Sequence, residues 1–506
     1  MSSTPSTKSN YIYLYFSQIY IVVIGIVIVP FHLKYLGAAA YGLIGFYTTI
    51  QVIFQLLDVG MTPTLSREAS KLHAGVVRQE STRSYLRVLE LLFLLITSTI
   101  FCISFFSIET FEKSWFSSAE LSSDIINQAL FYLILVAGVR WFSGLYRAFI
   151  AGFENQVWLS KLNIIITTLR FVGVLPVLIF YEASIVVFFK YQLLIALLEV
   201  LLLAIKINCY IKFKFYYIPT LKDVFLLRST FKLSLTAGCA GILWVLASQS
   251  DKIILSKMIT LESFGYFSMV ILLVNSITVI TAPVTKVTLP KLTKLSELGL
   301  RDEFNSLYIS TSKHITIIAF TIAIFFSFFG YEVVYIWTDD HSIAKKIYIL
   351  VAFYAVGYAL LSVSSLTYYF QMAKGNMKLH MIGVFIYLIL INLLLLFFIN
   401  AYGLEGAGYA WLITNFIYMF FWCPYVIFKF EKSLIRKLFI TDFILCLFNI
   451  VVIFLFLFLL FKFVNVESYT YTFLYLVFAF VVGGGAVIVI DPETRGYILS
   501  RLKNSG

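Results

Sequence analysis

Long apolar runs, about fourteen of them at roughly 20 residues per membrane crossing, fill this chain from end to end. The short loops between them are alternately basic and charge-poor. In hydrocarbon every backbone N–H and C=O must be satisfied inside the protein, and an α-helix does this within one segment. The chain is therefore expected to be an all-α polytopic membrane protein. Composition agrees. Of 506 residues, 61% are hydrophobic and 13% charged, against about 25% charged in soluble domains. The N-terminal run Tyr11–Leu33 is too long for a signal-peptide core and reads as a retained first span.

The expected spans are Tyr11–Leu33, Tyr41–Leu65, Tyr85–Phe106, Ile125–Phe149, Trp158–Phe180 and Ser184–Ile205. A second set covers Thr230–Ser256, Phe264–Val284, Ile315–Trp337, Ile347–Phe370, Leu379–Ile399 and Gly408–Phe428. Two more, Phe439–Phe463 and Tyr469–Ile490, complete the count. With the N-terminus inside, the inside loops hold roughly 27 Lys and Arg and the outside loops about 6. Both termini are accordingly expected in the cytoplasm. The net charge of +12 is explained by this topology and does not point to nucleic acid. No outside loop is long enough for a folded domain.

The first half of the pattern recurs in the second. LKYLGAAAYGLIGF (Leu33 to Phe46) parallels LSKMITLESFGYFSM (Leu255 to Met269), with Tyr41-Gly42 falling on Phe264-Gly265 and Lys71 on Lys294. Near the same offset, AGFENQVWLSKLN (Ala151 to Asn163) meets AKGNMKLHMIGVF (Ala373 to Phe385). Six spans is an even number, so the repeats keep one orientation. Two parallel six-helix bundles follow, an arrangement that transporters use. The expected division is residues 1–220 for the first bundle, 221–430 for the second, and 431–506 for two further helices and a tail.

A charge at membrane depth is costly and points to function. Arg170 lies near the middle of the fifth span and Arg140 within the fourth. Lys190 and Glu199 lie within the sixth, Asp58 in the second, and Asp251 with Lys252 late in the seventh. Lys190 and Lys252 are near enough to the outer surface to snorkel. Glu199 is able to neutralise Lys190 or Arg170, and Asp251 to pair locally with Lys252. A cavity bearing Arg140, Arg170, Lys190 and Lys252 would favour an anion, since Arg grips phosphate in a bidentate fork and Lys acts as a point charge. Asp58, Glu199 and Asp251 are candidates for carrying a coupling ion.

Motifs of soluble chemistry are absent. There is no GxxxxGK[ST], HExxH or CxxC. The five cysteines are unclustered and read as small packing residues. Asp339-Asp340-His341 reads as a solvated turn after Trp337, and Gly483-Gly484-Gly485 as close helix packing. No enzyme activity, metal or cofactor is expected.

Several segments together resemble bacterial polysaccharide repeat-unit flippases, the Wzx-type O-antigen transporters of the multidrug/oligosaccharidyl-lipid/polysaccharide (MOP) superfamily. They are YLGAAAYGL (Tyr35 to Leu43), LLDVGMTPTLSREAS (Leu56 to Ser70), YRAFIAGFENQVWLSKLNI (Tyr146 to Ile164), SQSDKIILSKMITLESFGYFSM (Ser248 to Met269) and INAYGLEGAGYAWLITNF (Ile399 to Phe416). The resemblance implies two rocking six-helix bundles, MATE-like, with two trailing helices as in some members. It implies an undecaprenyl-diphosphate-linked oligosaccharide as substrate, moved from the cytoplasmic to the periplasmic leaflet of the bacterial inner membrane. It also implies H+ or Na+ coupling, and partners in a polysaccharide polymerase and a chain-length regulator. By position, Arg140 and Arg170 are the residues expected in the basic cavity. Two alternatives stand beside this reading. A drug/ion antiporter of the same fold should prefer acidic cavity residues. A membrane polymerase or ligase should carry a large catalytic outer loop.

Overall fold

The computed structural model describes residues 7–58, 60–116, 120–211, 241–436, 438, 443–464 and 468–490. Everything regular in it is helical. Two compact units emerge, Met1–Gly265 and Tyr266–Gly506. The boundary expected at 220/221 lies outside the described residues, as do Cys239 and the first part of the seventh expected span.

The first unit contains α1 (Thr7–Leu56), α2 (Met61–His73), α3 (Gln79–Trp115), α4 (Ser123–Gly152), α5 (Gln156–Phe171), α6 (Val174–Phe180) and α7 (Ile185–Tyr210). It also contains a helix over 241–258, here α8, and the start of α9 (Leu261–Val274). α4 is its hub and packs against α7, α2, α3, α1 and α5. Leu133, Leu145 and Phe149 of α4 are fully buried, and Trp141 stacks on Phe93 with ring centroids 4.0 Å apart.

The second unit holds α10 (Ser276–Glu297), α11 (Arg301–Thr338), α12 (His341–Ala373) and α13 (Lys378–Ile417). A π-helical turn, Tyr418–Trp422, then leads into α14 (Cys423–Phe430). The short turn α15 (Leu434–Arg436), α16 (Leu445–Val464) and α17 (Tyr469–Ile490) complete it. α11 packs on α12 and α10, and α16 and α17 both lean on α11. The last two helices are thus held by one long helix, through contacts such as Phe325 with Phe454 and Phe480.

Eleven helices among the described residues are long and apolar enough to cross a membrane. This is a multi-pass membrane protein. Two of the eleven each carry two of the expected spans. The 50 residues of α1 would stretch about 75 Å as a straight helix, far more than the roughly 30 Å hydrocarbon core. The chain breaks at Gly37, with φ 81° and ψ 167°. α13 breaks likewise at Gly403, with φ 56° and ψ −131°. Both positive φ values suit glycine and penalise a residue with a Cβ. Both glycines fall between expected spans.

The structure departs from the sequence reading in three places. The basic segments around Arg67–Lys71 and Lys286–Lys294, expected as inside loops, are helical, in α2 and α10, where helical hydrogen bonding continues beyond the apolar runs. The second span is interrupted between Leu56 and Met61. The fifth is split between Phe171 and Val174.

Candidate functional site

The break in the fifth span creates the setting for Arg170. Gly173 N–H bonds to the Thr168 carbonyl at 3.0 Å, which leaves the next carbonyls without their helical donors. Side chains of α7 replace them. Tyr191 donates its hydroxyl to the Leu169 carbonyl at 2.9 Å, and Gln192 Nε2 donates to the Arg170 carbonyl at 2.8 Å. Arg170 Nε returns a bond to Gln192 Oε1 at 3.0 Å. The guanidinium thus sits at a helix C-terminal end, where the helix dipole favours a cation.

Two turns along α7 from Gln192 stands Glu199, whose side chain is fully buried. Arg147 donates to Glu199 Oε1 through Nε at 2.8 Å and through Nη2 at 2.5 Å. Its Nη1 bonds to Asn163 Oδ1 of α5. Ser143 Oγ reaches the same carboxylate oxygen at 3.2 Å. Arg140 Nη1 lies 3.9 Å from Glu199 Oε2, and neither atom has a hydrogen-bond partner within the protein. Three polar pairs build the site: Arg140 and Arg147 on α4, Asn163 and Arg170 on α5, Gln192 and Glu199 on α7. Each pair is seven residues apart, two helical turns, so each presents both members on one helix face.

Charge does not balance here. Three guanidinium groups share one carboxylate. A single ion pair buried in low dielectric is held together at a desolvation cost. Here the surplus cations keep part of their surface open: the side chains of Arg140 and Arg147 are 20% and 25% exposed. Next to this network, Glu90 of α3 is bound by the Tyr146 hydroxyl at 2.8 Å and by Arg87 Nη1 at 2.7 Å.

The structure therefore gathers Arg140, Arg170 and Glu199, and adds Arg147, Asn163, Gln192 and Ser143, which sequence reasoning missed. It does not bind the other candidates into the network. Glu199 neutralises Arg147 and Arg140 rather than Lys190. Residues 190 and 199 are nine apart, about 180° around a helix at 100° per residue. Lys190 accordingly points away, exposed, over the Tyr132 ring at 5.4 Å. Asp58 caps α2: its Oδ1 accepts from Thr62 N–H at 2.9 Å and its Oδ2 from the Thr62 hydroxyl. Lys252 donates to Gln249 Oε1 at 2.8 Å, and Asp251, buried, accepts the Lys252 backbone N–H at 2.8 Å. Among the described residues, no group of three or more His, Cys, Asp or Glu is placed to hold a metal ion.

Residues 7–296 match the family model described as polysaccharide biosynthesis protein. The chain belongs to that family. No curated protein matches it. Among solved structures, the lipid II flippase MurJ in an inward closed conformation aligns with a TM-score of 0.70 at 16% identity, covering 96% of this chain and 99% of that one. An inward-facing multidrug resistance MATE family transporter of the MOP superfamily aligns at 0.62 and 16% identity, covering 83% and 95%. A Vibrio cholerae MATE transporter, VcmN, aligns at 0.59 and 13%, covering 86% and 98%. At these identities the likeness establishes the fold alone, the one these three structures share.

Proposed function

We propose that this protein is a flippase for a polyprenyl-diphosphate-linked oligosaccharide, moving the headgroup from the cytoplasmic to the outer leaflet of the bacterial inner membrane by alternating access. The observation that carries the reading is the set of three arginines around one buried carboxylate, in a chain whose family is polysaccharide biosynthesis. Sugar hydroxyls lose their hydrogen bonds in hydrocarbon, so the headgroup cannot cross unaided. Arg140, Arg147 and Arg170 offer donors that replace water for a diphosphate, in bidentate geometry. The lipid tail stays in the bilayer throughout. The MurJ structure is that of a lipid-linked substrate's flippase by its name, and it covers more of this chain than the MATE structures do. A drug/ion antiporter is disfavoured by the surplus of cations at the site.

Glu199 supplies a route to coupling. With no substrate bound it is the counter-ion of Arg147 and Arg140. A diphosphate that takes over these arginines frees the carboxylate to accept a proton, which couples substrate release to proton movement. Asp58 is less suited, because Thr62 takes both of its oxygens. The bias of Lys and Arg toward one set of loops supports a cytoplasmic position for both termini. A polymerase and a chain-length regulator are the expected partners downstream.

The test is transport by Arg170 variants at matched membrane abundance. Arg170→Ala is expected to abolish transport of the lipid-linked oligosaccharide, and Arg170→Lys to retain part of it. Normal transport by Arg170→Ala would assign that residue to helix packing and remove it from substrate binding.

A further inference from the structure

The second unit carries an apolar groove with a cavity volume of about 560 Å³. One wall is α13, where Leu379, Ile382, Ile386 and Leu390 fall on one face at helical spacing. The facing wall includes Trp422 and Tyr425. This wall is not ordinary helix. Pro424 has no N–H to give the carbonyl four residues back, and its ring crowds that carbonyl. The ladder widens: Cys423 N–H bonds to the Tyr418 carbonyl, five residues back. Such π turns recur at functional sites. The Trp422 indole lies against Gly383, where an added Cβ would come within 2.1 Å of Nε1. That nitrogen is buried with no hydrogen-bond partner.

The groove has one charged end. Lys378, exposed, directly precedes the lining residue Leu379. Lys429, exposed, lies over the Tyr425 ring at 5.6 Å. The neighbouring carboxylate of Glu431 does not cancel them, since Arg301 Nε and Nη2 hold both of its oxygens at 2.6 Å. Meanwhile Ile382, Ile386 and Tyr425 stay 50%, 43% and 45% exposed, on spans whose surroundings are lipid. The walls would suit a hydrocarbon chain, and the rim an anionic headgroup.

We propose that this groove is a binding site for an anionic phospholipid, with one acyl chain along α13 and its phosphate at Lys378 and Lys429. The site is separate from the arginine cluster, and it stands whether or not the flippase reading does. Two conditions favour a bilayer phospholipid as the occupant. It is present wherever the protein is, and the groove needs only a chain and a phosphate to be filled. Each lysine near a membrane surface attracts anionic lipid strongly enough to change occupancy about fivefold.

Native mass spectrometry of the purified full chain, titrated with dioleoyl phosphatidylglycerol and separately with dioleoyl phosphatidylcholine, tests this. One phosphatidylglycerol is expected to persist at lipid levels where phosphatidylcholine has dissociated. Lys378→Gln with Lys429→Gln, both on exposed positions, should weaken the adduct by about fivefold per lysine. Ile386→Trp, which fills the groove from an exposed position, should remove it. Equal retention of the two lipids, or an adduct unchanged in both variants, would overturn the site. A polyprenyl-linked species held there in place of phospholipid would overturn the occupant.

Discussion

Arg147 illustrates how one residue at membrane depth sets both stability and charge. It gives two donors to Glu199 and one to Asn163, tying α4 to α7 and α5. Removing it leaves a buried carboxylate without its main partner, a loss of about 3–5 kcal/mol for such pairs. Arg147→Ala is therefore expected to lower the melting temperature in detergent by several degrees. Arg147→Ala combined with Glu199→Gln should recover part of that loss. Equal melting of wild type and single variant would show that the pair contributes nothing net. Arg140, Arg170 and Glu199 were legible because a charge inside an apolar run stands out. Arg147 was not, because it lies two residues from the expected end of the fourth span, where a cation reads as interfacial. Asn163 and Gln192 carry no charge at all. The signal that would have found them is the shared seven-residue spacing on three successive spans.

Elements are broken and joined by few residues, and two glycines show how tightly. A Cβ on Gly42 would meet the Leu261 carbonyl oxygen at 2.2 Å, and a Cβ on Gly265 would meet that of Ala38 at 2.2 Å. In the internal repeat Gly42 corresponds to Gly265, and at the same offset Ala38 corresponds to Leu261. The two contacts are therefore reciprocal, a physical reason for the Gly in both copies. Gly265→Val should force backbone apart and cost transport and thermal stability together. Unchanged melting and transport would mean that the two segments separate at little cost. At the far end of the second unit, Arg301 and Glu431 staple the start of α11 to the end of α14. The Arg301 hydrogen bonds hold the Glu431 carboxyl below its usual 4.5. A carboxyl held low stabilises the fold above its unfolded value and loses that contribution as pH falls through the folded one. Wild type should thus melt above Glu431→Gln at pH 7, and the difference should shrink as pH drops below about 4.5. A gap that persists into acid would exclude the ion pair as its source. Hydropathy located most spans but not their ends, since α3 and α11 run well past Tyr85–Phe106 and Ile315–Trp337, and it missed the splits after Leu56 and Phe171. The second break rests on side chains supplied from a neighbouring helix, Tyr191 and Gln192, and pairing across helices leaves no local trace; the first is capped locally by Asp58 on Thr62.

The whole molecule is a multi-pass chain that shares its fold with the MurJ and MATE structures, from the family of polysaccharide biosynthesis proteins. Lipid as solvent explains its composition, the helix breaks explain its two overlong helices, and the surplus of arginines over carboxylates underlies the proposal of an anionic substrate. The sequence told the fold class, because it is written in hydropathy, and it flagged isolated charges at membrane depth. It did not tell which cations converge, since that depends on how three helices rotate against each other. The measurement that tests the central claim most directly is the leaflet location of lipid-linked oligosaccharide after this protein is depleted in its host. Intact spheroplasts would be probed from outside with an enzyme or lectin that recognises the sugar. The account predicts that the lipid-linked oligosaccharide accumulates and stays inaccessible until the cells are opened. Accumulation in the outer leaflet, or no accumulation at all, would contradict it.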